Sequence, residues 1–392
     1  MSRFVRALPV VLVAVLTAAL ATPASAALRD DTRFVDPLIG SAGGGNTYPG
    51  AVRPFGMISW SPTSTRGDQT NTGAANGYAY DATRVRGFSL THVNGAGCHP
   101  GAAGDVPIMP HVGAITSSPT ADTKDQVYAS DFTHADEIAE SGRYRVGLKS
   151  GARADLSVTT RAGIGEFSFP SEGSLLFRVS NSLNGSEDAE ITIDPATNTV
   201  SGSVLTGAFC GRRANGGTNN QKTYYRLYFT AGFDRPITSY GTWVNSELRP
   251  GTTTASGGEG YLTGNNRAGK GSGGYVSFAD TKVTTRVGIS YTSAEAAKRN
   301  LAAEIPQRAT VSDIAQQARK AWAKQLRAVE IDGGTADERT IFYTALYHAF
   351  LQPNVASDVD GTYLGSDRKV RRLAPGQRVQ YGNFSGWDQY RA

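Results

Sequence analysis

Between Arg86 and Asp105 the chain reads RGFSLTHVNGAGCHPGAAGD, with five glycines, two of the five histidines, one of the two cysteines and an acid at its end. Imidazole, thiol and carboxylate groups can bind ligands or move protons, and glycine lets a backbone come close to what it binds. Glycine at this density excludes a regular helix or a central strand. The stretch predicts a short strand from Arg86 to His92 running into a shaped loop from Asn94 to Asp105. Two readings stay open: a loop that approaches a ligand, and a surface crossing with turn glycines. A metal site built from His92, Cys98, His99 and Asp105 finds little support, because Cys98 and His99 are adjacent and no Cys-x-x-Cys or His-x-x-x-His pair accompanies them.

The elements that must position this loop begin after residue 26. Arg3 and Arg6, an apolar run from Leu8 to Leu20 and the small residues Ala24-Ser25-Ala26 predict a bacterial-type signal peptide over 1–26 and a secreted product. The apolar run is short for a membrane anchor. The remaining chain is long enough for two domains and a large core. Two of the five net positive charges belong to Arg3 and Arg6, and the remaining Lys and Arg are scattered. That spacing gives no footprint for nucleic acid or an anionic membrane. Export makes a disulfide between Cys98 and Cys210 the expected pairing.

A second glycine loop, Gly40 to Gly50, lies between apolar pieces at Phe34–Ile39 and Phe55–Trp60. It has no Lys-Ser/Thr and no helix after it, so a phosphate-binding loop is a poor reading. It predicts close backbone approach to something neutral, or turns. Alternating runs come next at Arg143–Leu148, Leu156–Thr160, Glu166–Phe169, Ser174–Val179, Ala189–Ile193, Tyr224–Phe233, Tyr275–Phe278 and Val283–Tyr291. Short strands at such spacing predict a mainly β fold, a large antiparallel sandwich over 27–292. Gly251 to Gly274 predicts a long loop. The period then changes. Ser293 caps a helix to Glu304, Val311–Leu326 is an amphipathic helix, and a Thr335/Glu338 capping box starts another that continues through Ile341–Leu351. The expected organisation is a helical linker over 293–332 and the beginning of a helical domain over 333–392, incomplete because so short a helical unit cannot cover its own apolar face.

Other residues with chemical potential have bland readings. His92 fits a satisfied core histidine, His111 a strand end, and His348 a helix position facing a neighbouring element. His134 opens HADE, but Asp136 and Glu137 are adjacent on a strand and face opposite ways. Asp358 and Asp360 in SDVDG resemble a calcium loop but lack its length and closing glutamate, so a turn is expected.

Several stretches together resemble glycoside hydrolase family 92, the secreted, calcium-dependent, inverting exo-α-mannosidases. They are FVDPLIG…YPGAVRPFGMISWSP, GYAYD…VRGFSLTHVNGAGC…GDVPIMPHVG, SDFTHADEIAESGRYRVGL, FYTALYHAFLQPNVASDVDGTYLG and YGNFSGWDQYRA, in order from Phe34 to Ala392. The resemblance implies an N-terminal β-sandwich, linker helices and an (α/α)6 barrel that this chain only begins, with an active site between the two domains. It implies substrate contacts by Trp387 and Asp388 of WDQYRA, and by His92, Asn94 and Gly95 of the glycine-rich loop. An indole face stacks on a pyranose and a carboxylate accepts hydroxyl hydrogen bonds. Inverting hydrolysis needs an acid and a base on opposite faces of the sugar. The family's glutamate acid and aspartate base lie in motifs downstream of WDQYRA, as do most calcium ligands, so no catalytic or metal-binding residue is assigned here. Mannose-containing glycans are the implied partner. Alternatives are a glycan-binding sandwich without hydrolysis and a non-functional remnant.

Overall fold

The computed structural model describes residues 30–64, 76–95, 103–183, 185–207, 224–260 and 269–384. After a short 3-10 helix at Asp31–Phe34 come β1 (Ala51–Val52), β2 (Ser59–Ser64), β3 (Arg84–Ser89), β4 (Ile108–Val112), β5 (Ser130–Glu140), β6 (Arg143–Leu148), β7 (Arg153–Val158), β8 (Ala162–Ser168) and β9 (Gly173–Phe177). They continue as β10 (Ser186–Asp194), β11 (Thr199–Gly207), β12 (Tyr224–Phe233), β13 (Ser239–Val244), β14 (Glu247–Pro250), β15 (Thr254–Ser256), β16 (Ser272–Phe278) and β17 (Lys282–Ser290). One layer runs β15-β10-β11-β12-β17-β8-β7-β6-β5, every pair antiparallel. The other runs β14-β13-β16-β9-β4-β3-β2-β1, also antiparallel. β5 joins them: Ser130 and Asp131 pair with β3, while Phe132 and then, after a register shift, Glu137 to Glu140 pair with β6.

The two layers close on a continuous apolar core. Phe177 stacks on Phe229 at 6.1 Å, and Trp60 meets Phe167 edge-on at 6.1 Å. Trp60 is fully buried, so its indole N–H needs a partner and donates to Phe88 O at 3.1 Å. Its ring lies flat enough on β8 that a Cβ at Gly163 would stand 2.8 Å from it. Glycine there is a packing requirement.

The strands predicted from alternation are present, with ends shifted by a few residues. β11 and β13 were hidden by serine, glycine and threonine, which blur alternation, although Val200, Val204 and Trp243 are fully buried. The expected loop at Gly251–Gly274 is partly strand. Ala255 pairs with Ile191 at the sheet edge, and β16 already begins at Ser272.

Three helices come after the sandwich: α1 (Ala294–Glu304), α2 (Val311–Leu326) and α3 (Ala336–Ala349). Ser293 caps α1, and Thr335 with Glu338 closes the capping box of α3 as the sequence predicts. α2 carries a second box from Thr310 and Asp313. Its buried stripe, Ile314, Ala318, Trp322 and Leu326, packs toward the sandwich, and Trp322 Nε1 donates to Val52 O at 2.7 Å. Beyond α3 the chain turns to short hairpin pairs rather than more helix: β18 (Asn354–Val355) with β21 (Tyr381–Gly382), and β19 (Thr362–Leu364) with β20 (Val370–Arg372).

These hairpins are held by a buried carboxylate. Asp358 accepts from Ser290 Oγ at 2.9 Å, Thr292 Oγ1 at 2.5 Å and Asn300 Nδ2 at 2.7 Å. Asn300 in turn accepts from Val359 N at 2.9 Å. SDVDG is therefore a turn pinned to β17 and α1. Asp360 holds the outer side, paired with Arg299 at 2.9 Å.

Candidate functional site

Three segments distant in sequence meet where the sandwich abuts α3. The glycine loop at 40–50 closes on itself, with Thr47 N donating to Gly40 O at 3.3 Å and Gly45 N to Ala42 O at 3.1 Å, and leaves Gly43 to Gly45 exposed. The loop after β3 docks on it, Gly95 N donating to Asn46 O at 2.9 Å. Asn94 Nδ2 reaches the end of α3, donating to His348 O at 3.5 Å. α3 is tied back by Asp36 N donating to Thr344 Oγ1 at 3.0 Å, and by Phe55 N donating to Phe350 O at 2.9 Å. The glycine loop at 40–50 and the start of the second one, Asn94 and Gly95, thus come to one place.

His92 lies behind these contacts, 4 % exposed, with its ring 5.0 Å from that of Tyr48. Nδ1 faces Ser59 O at 3.0 Å. A carbonyl only accepts, so Nδ1 carries the hydrogen and Nε2 offers a lone pair. Burial pulls the His92 pKa down to about 4 against the Ser59 hydrogen bond, so the ring is neutral at pH 7. Gly77 leaves room beside Nε2, where a Cβ would stand 3.4 Å away. On α3, His348 is likewise held down to about 4 by burial, with Asp36 opposing. Tyr347 is fully buried, its hydroxyl kept protonated by burial and by Tyr48 nearby, and its ring lies 4.3 Å from Trp322.

Four polar atoms here are buried with no hydrogen-bond partner among the described residues: His92 Nε2, Asn94 Oδ1, Tyr347 Oη and His348 Nε2. Native interiors satisfy nearly all such atoms, so four at one junction ask for a ligand, for water or for more protein. Their chemistry is uncharged donors and acceptors, suited to hydroxyl groups. Asp36 is the carboxylate close by, and it accepts from Leu38 N at 3.0 Å.

Other candidates lie elsewhere. Asp105 is buried and accepts from Thr91 Oγ1 at 2.7 Å, Ser182 Oγ at 2.5 Å and Tyr225 Oη at 2.7 Å, while burial raises its pKa. It ties loop to sheet. His111 packs 5.2 Å from Tyr128, its pKa lowered by burial. Glu137 is buried and accepts from Tyr78 Oη at 2.9 Å, Tyr144 Oη at 2.6 Å and His134 Nδ1 at 2.6 Å, while Asp136 is exposed beside Lys149. As expected, they do not act together. Trp387, Asp388, Cys98, His99 and Cys210 lie outside the described residues. Among the described residues no three His, Cys, Asp or Glu side chains come together as a metal-ligand group. Sequence reading passed over Tyr48 and Tyr347, and gave His348 only a position facing a neighbouring element. Adjacent Tyr-His at a helix end was the available signal.

The glycosyl hydrolase family 92 N-terminal domain matches residues 34–290, and the family's catalytic domain matches 296–392. The chain is similar to the GH92 α-mannosidase BT3965 of Bacteroides thetaiotaomicron, with TM-score 0.77 and 27% identity over 93% of this chain and 46% of that one. It is also similar to that organism's GH92 inverting mannosidase BT2199, with TM-score 0.71, 27% identity, and 93% and 45% covered. Among curated proteins it is 26% identical to an uncharacterized secreted glycosidase of Arthroderma benhamiae, over 83% of this chain and 42% of that protein. The chain thus spans less than half the length of these relatives. No helix among the described residues is long and apolar enough to cross a membrane. With both family domains matched in order across a sandwich followed by helices, this chain belongs to glycosyl hydrolase family 92.

Proposed function

We propose that this chain forms the sandwich-side wall of the mannoside-binding site of a secreted, inverting exo-α-mannosidase. The observation that carries this is the set of four orphaned polar atoms where the two glycine loops meet α3. In this reading His92 Nε2 accepts from a sugar hydroxyl, directly or through water, Asn94 offers its amide oxygen, and the Gly95 backbone stays close because no side chain intervenes. Trp387 and Asp388 provide the stacking face and the hydroxyl acceptor. The general acid and base, and the ligands of a bound calcium ion, come from residues other than those described here. The unit boundaries that go with it are a signal peptide at 1–26, the sandwich at 27–292, a linker at 293–332 and the opening of the helical domain at 333–392. One solved relative, BT3965, is in complex with mannoimidazole, which suggests the probe.

Two measurements on the 392-residue chain test the proposal. It should bind mannoimidazole, with His92→Leu weakening binding about tenfold, the loss of roughly one good hydrogen bond. It should release no mannose from α-mannobioses. Clear turnover would overturn the assignment of acid and base to other residues. Saturable binding that His92→Leu leaves unchanged would remove the junction from the site.

A further inference from the structure

A second concavity lies on the sandwich's other contact with the linker. It is a cleft of about 1040 Å³ between the 3-10 helix, the β5–β6 turn and α2. Its lining carries six cations, Arg33, Arg143, Arg319, Lys320, Lys324 and Arg327, against two acids, Asp30 and Glu140. Both acids already have partners: Asp30 pairs with Arg319 at 2.8 Å and Glu140 with Arg145 at 3.2 Å. Arg143 pairs with Asp155 at 2.6 Å and Arg327 with Glu330 at 3.1 Å. Lys320 and Lys324 remain with no ion pair among the described residues, and Arg33, which also has none, lies over the Phe34 ring at 4.7 Å. Lysines on a helix face are ordinarily solvated and need no ligand. This pair differs because the opposite wall also offers Arg33, and because Ser141 in the lining has a buried Oγ with no hydrogen-bond partner among the described residues.

We infer that this cleft binds a multivalent phosphate anion, free or carried on a glycan. Three cations without a carboxylate partner call for a ligand of about two to three negative charges. Lys320 and Lys324 are one helical turn apart, about 6 Å along the axis, which suits two phosphoryl groups in sequence rather than one small anion. Ammonium groups bind phosphate as point charges, Arg33 adds a planar fork from the other wall, and the Ser141 hydroxyl can donate to a phosphate oxygen. The cleft is lined by residues separate from those of the glycine-loop junction, so the inference stands whether or not mannosides bind there.

The test is calorimetric titration of the chain with tripolyphosphate at low ionic strength, where surface charge is least screened. One saturable site is expected. Lys320→Ala/Lys324→Ala should weaken it at least tenfold, and Ser141→Ala severalfold. Lys149→Ala/Lys282→Ala removes the same charge elsewhere on the sandwich and should leave binding intact. Equal loss in that control, or no saturable site, would overturn the proposal. A phosphate-bearing mannan and a neutral mannan then separate the sources. Lysine-dependent binding of the first alone points to a glycan-borne phosphate, and response to tripolyphosphate only points to the free anion.

Discussion

Two buried polar clusters flank the line where the sandwich and linker meet the segment after them, and they are built in opposite ways. Around Asp358, the carboxylate accepts from Ser290, Thr292 and Asn300, and Asn300 closes the circuit by accepting from Val359 N. Around His92 and α3, four polar atoms stay unanswered among the described residues. A closed network fixes one geometry and has nothing left to offer a ligand, whereas an open one keeps hydrogen-bonding capacity in reserve. The sequence marked both places with similar residue types, and only partner geometry tells the fastening from the site.

The contrast breaks most visibly at Asp358. Asp358→Ala should remove about 4 kcal/mol of stability, because several buried donors lose their acceptor together. Urea unfolding checks this, and a loss under about 1 kcal/mol would mean the hairpins are held by something else.

Next in size is a pH effect carried by the open cluster. His92 and His348 have folded pKa values lowered to about 4 by burial, against roughly 6.5 when unfolded. Between those values the unfolded chain binds more protons, so their contribution is fully present above about pH 6.5 and is lost as pH falls toward 4. For His92 alone this amounts to about 3 kcal/mol. Asp105, raised by burial, pulls the other way, so the measurement is a difference: His92→Gln/His348→Gln should flatten the acid limb of stability against pH. An unchanged slope would show that the imidazoles are not held neutral.

A third cluster sharpens the comparison from the closed side. Glu137→Gln keeps shape but replaces one acceptor oxygen by a donor facing tyrosine hydroxyls and His134, and should cost about 2 kcal/mol in chemical denaturation. The smallest stability effect is expected at the open cluster itself. His92→Leu should cost about 1 kcal/mol, the loss of the single Nδ1 hydrogen bond to Ser59 O, while ligand binding falls. A larger destabilisation, at unchanged mannoimidazole affinity, would make His92 a core residue.

Much of the frame was readable before any coordinates. Ile314, Ala318, Trp322 and Leu326 recur at helical spacing, and α2 spans Val311–Leu326 as predicted. Thr335 and Glu338 form their box because capping involves residues three apart. β12 also appears as expected, since Leu227, Phe229 and Ala231 alternate into the core. Where serine and glycine replace branched residues, as in β11 and β13, the alternation fades and the strand depends on its neighbours.

The candidate site was half legible. Glycine density brought the loops at 40–50 and 94–105 to notice, and His92, Asn94 and Gly95 with them. His348 had no local mark of a ligand contact, because its significance lies in meeting Asn94 from 254 residues away. Periodicity, capping and turn chemistry act over a few residues, so the sequence alone determined the strands, helices and glycine loops, and its ordered motifs carried the family resemblance. Which carboxylate is answered and which imidazole is left open depends on groups brought together only by the packing of α3 against the sandwich, and that the tertiary structure decided.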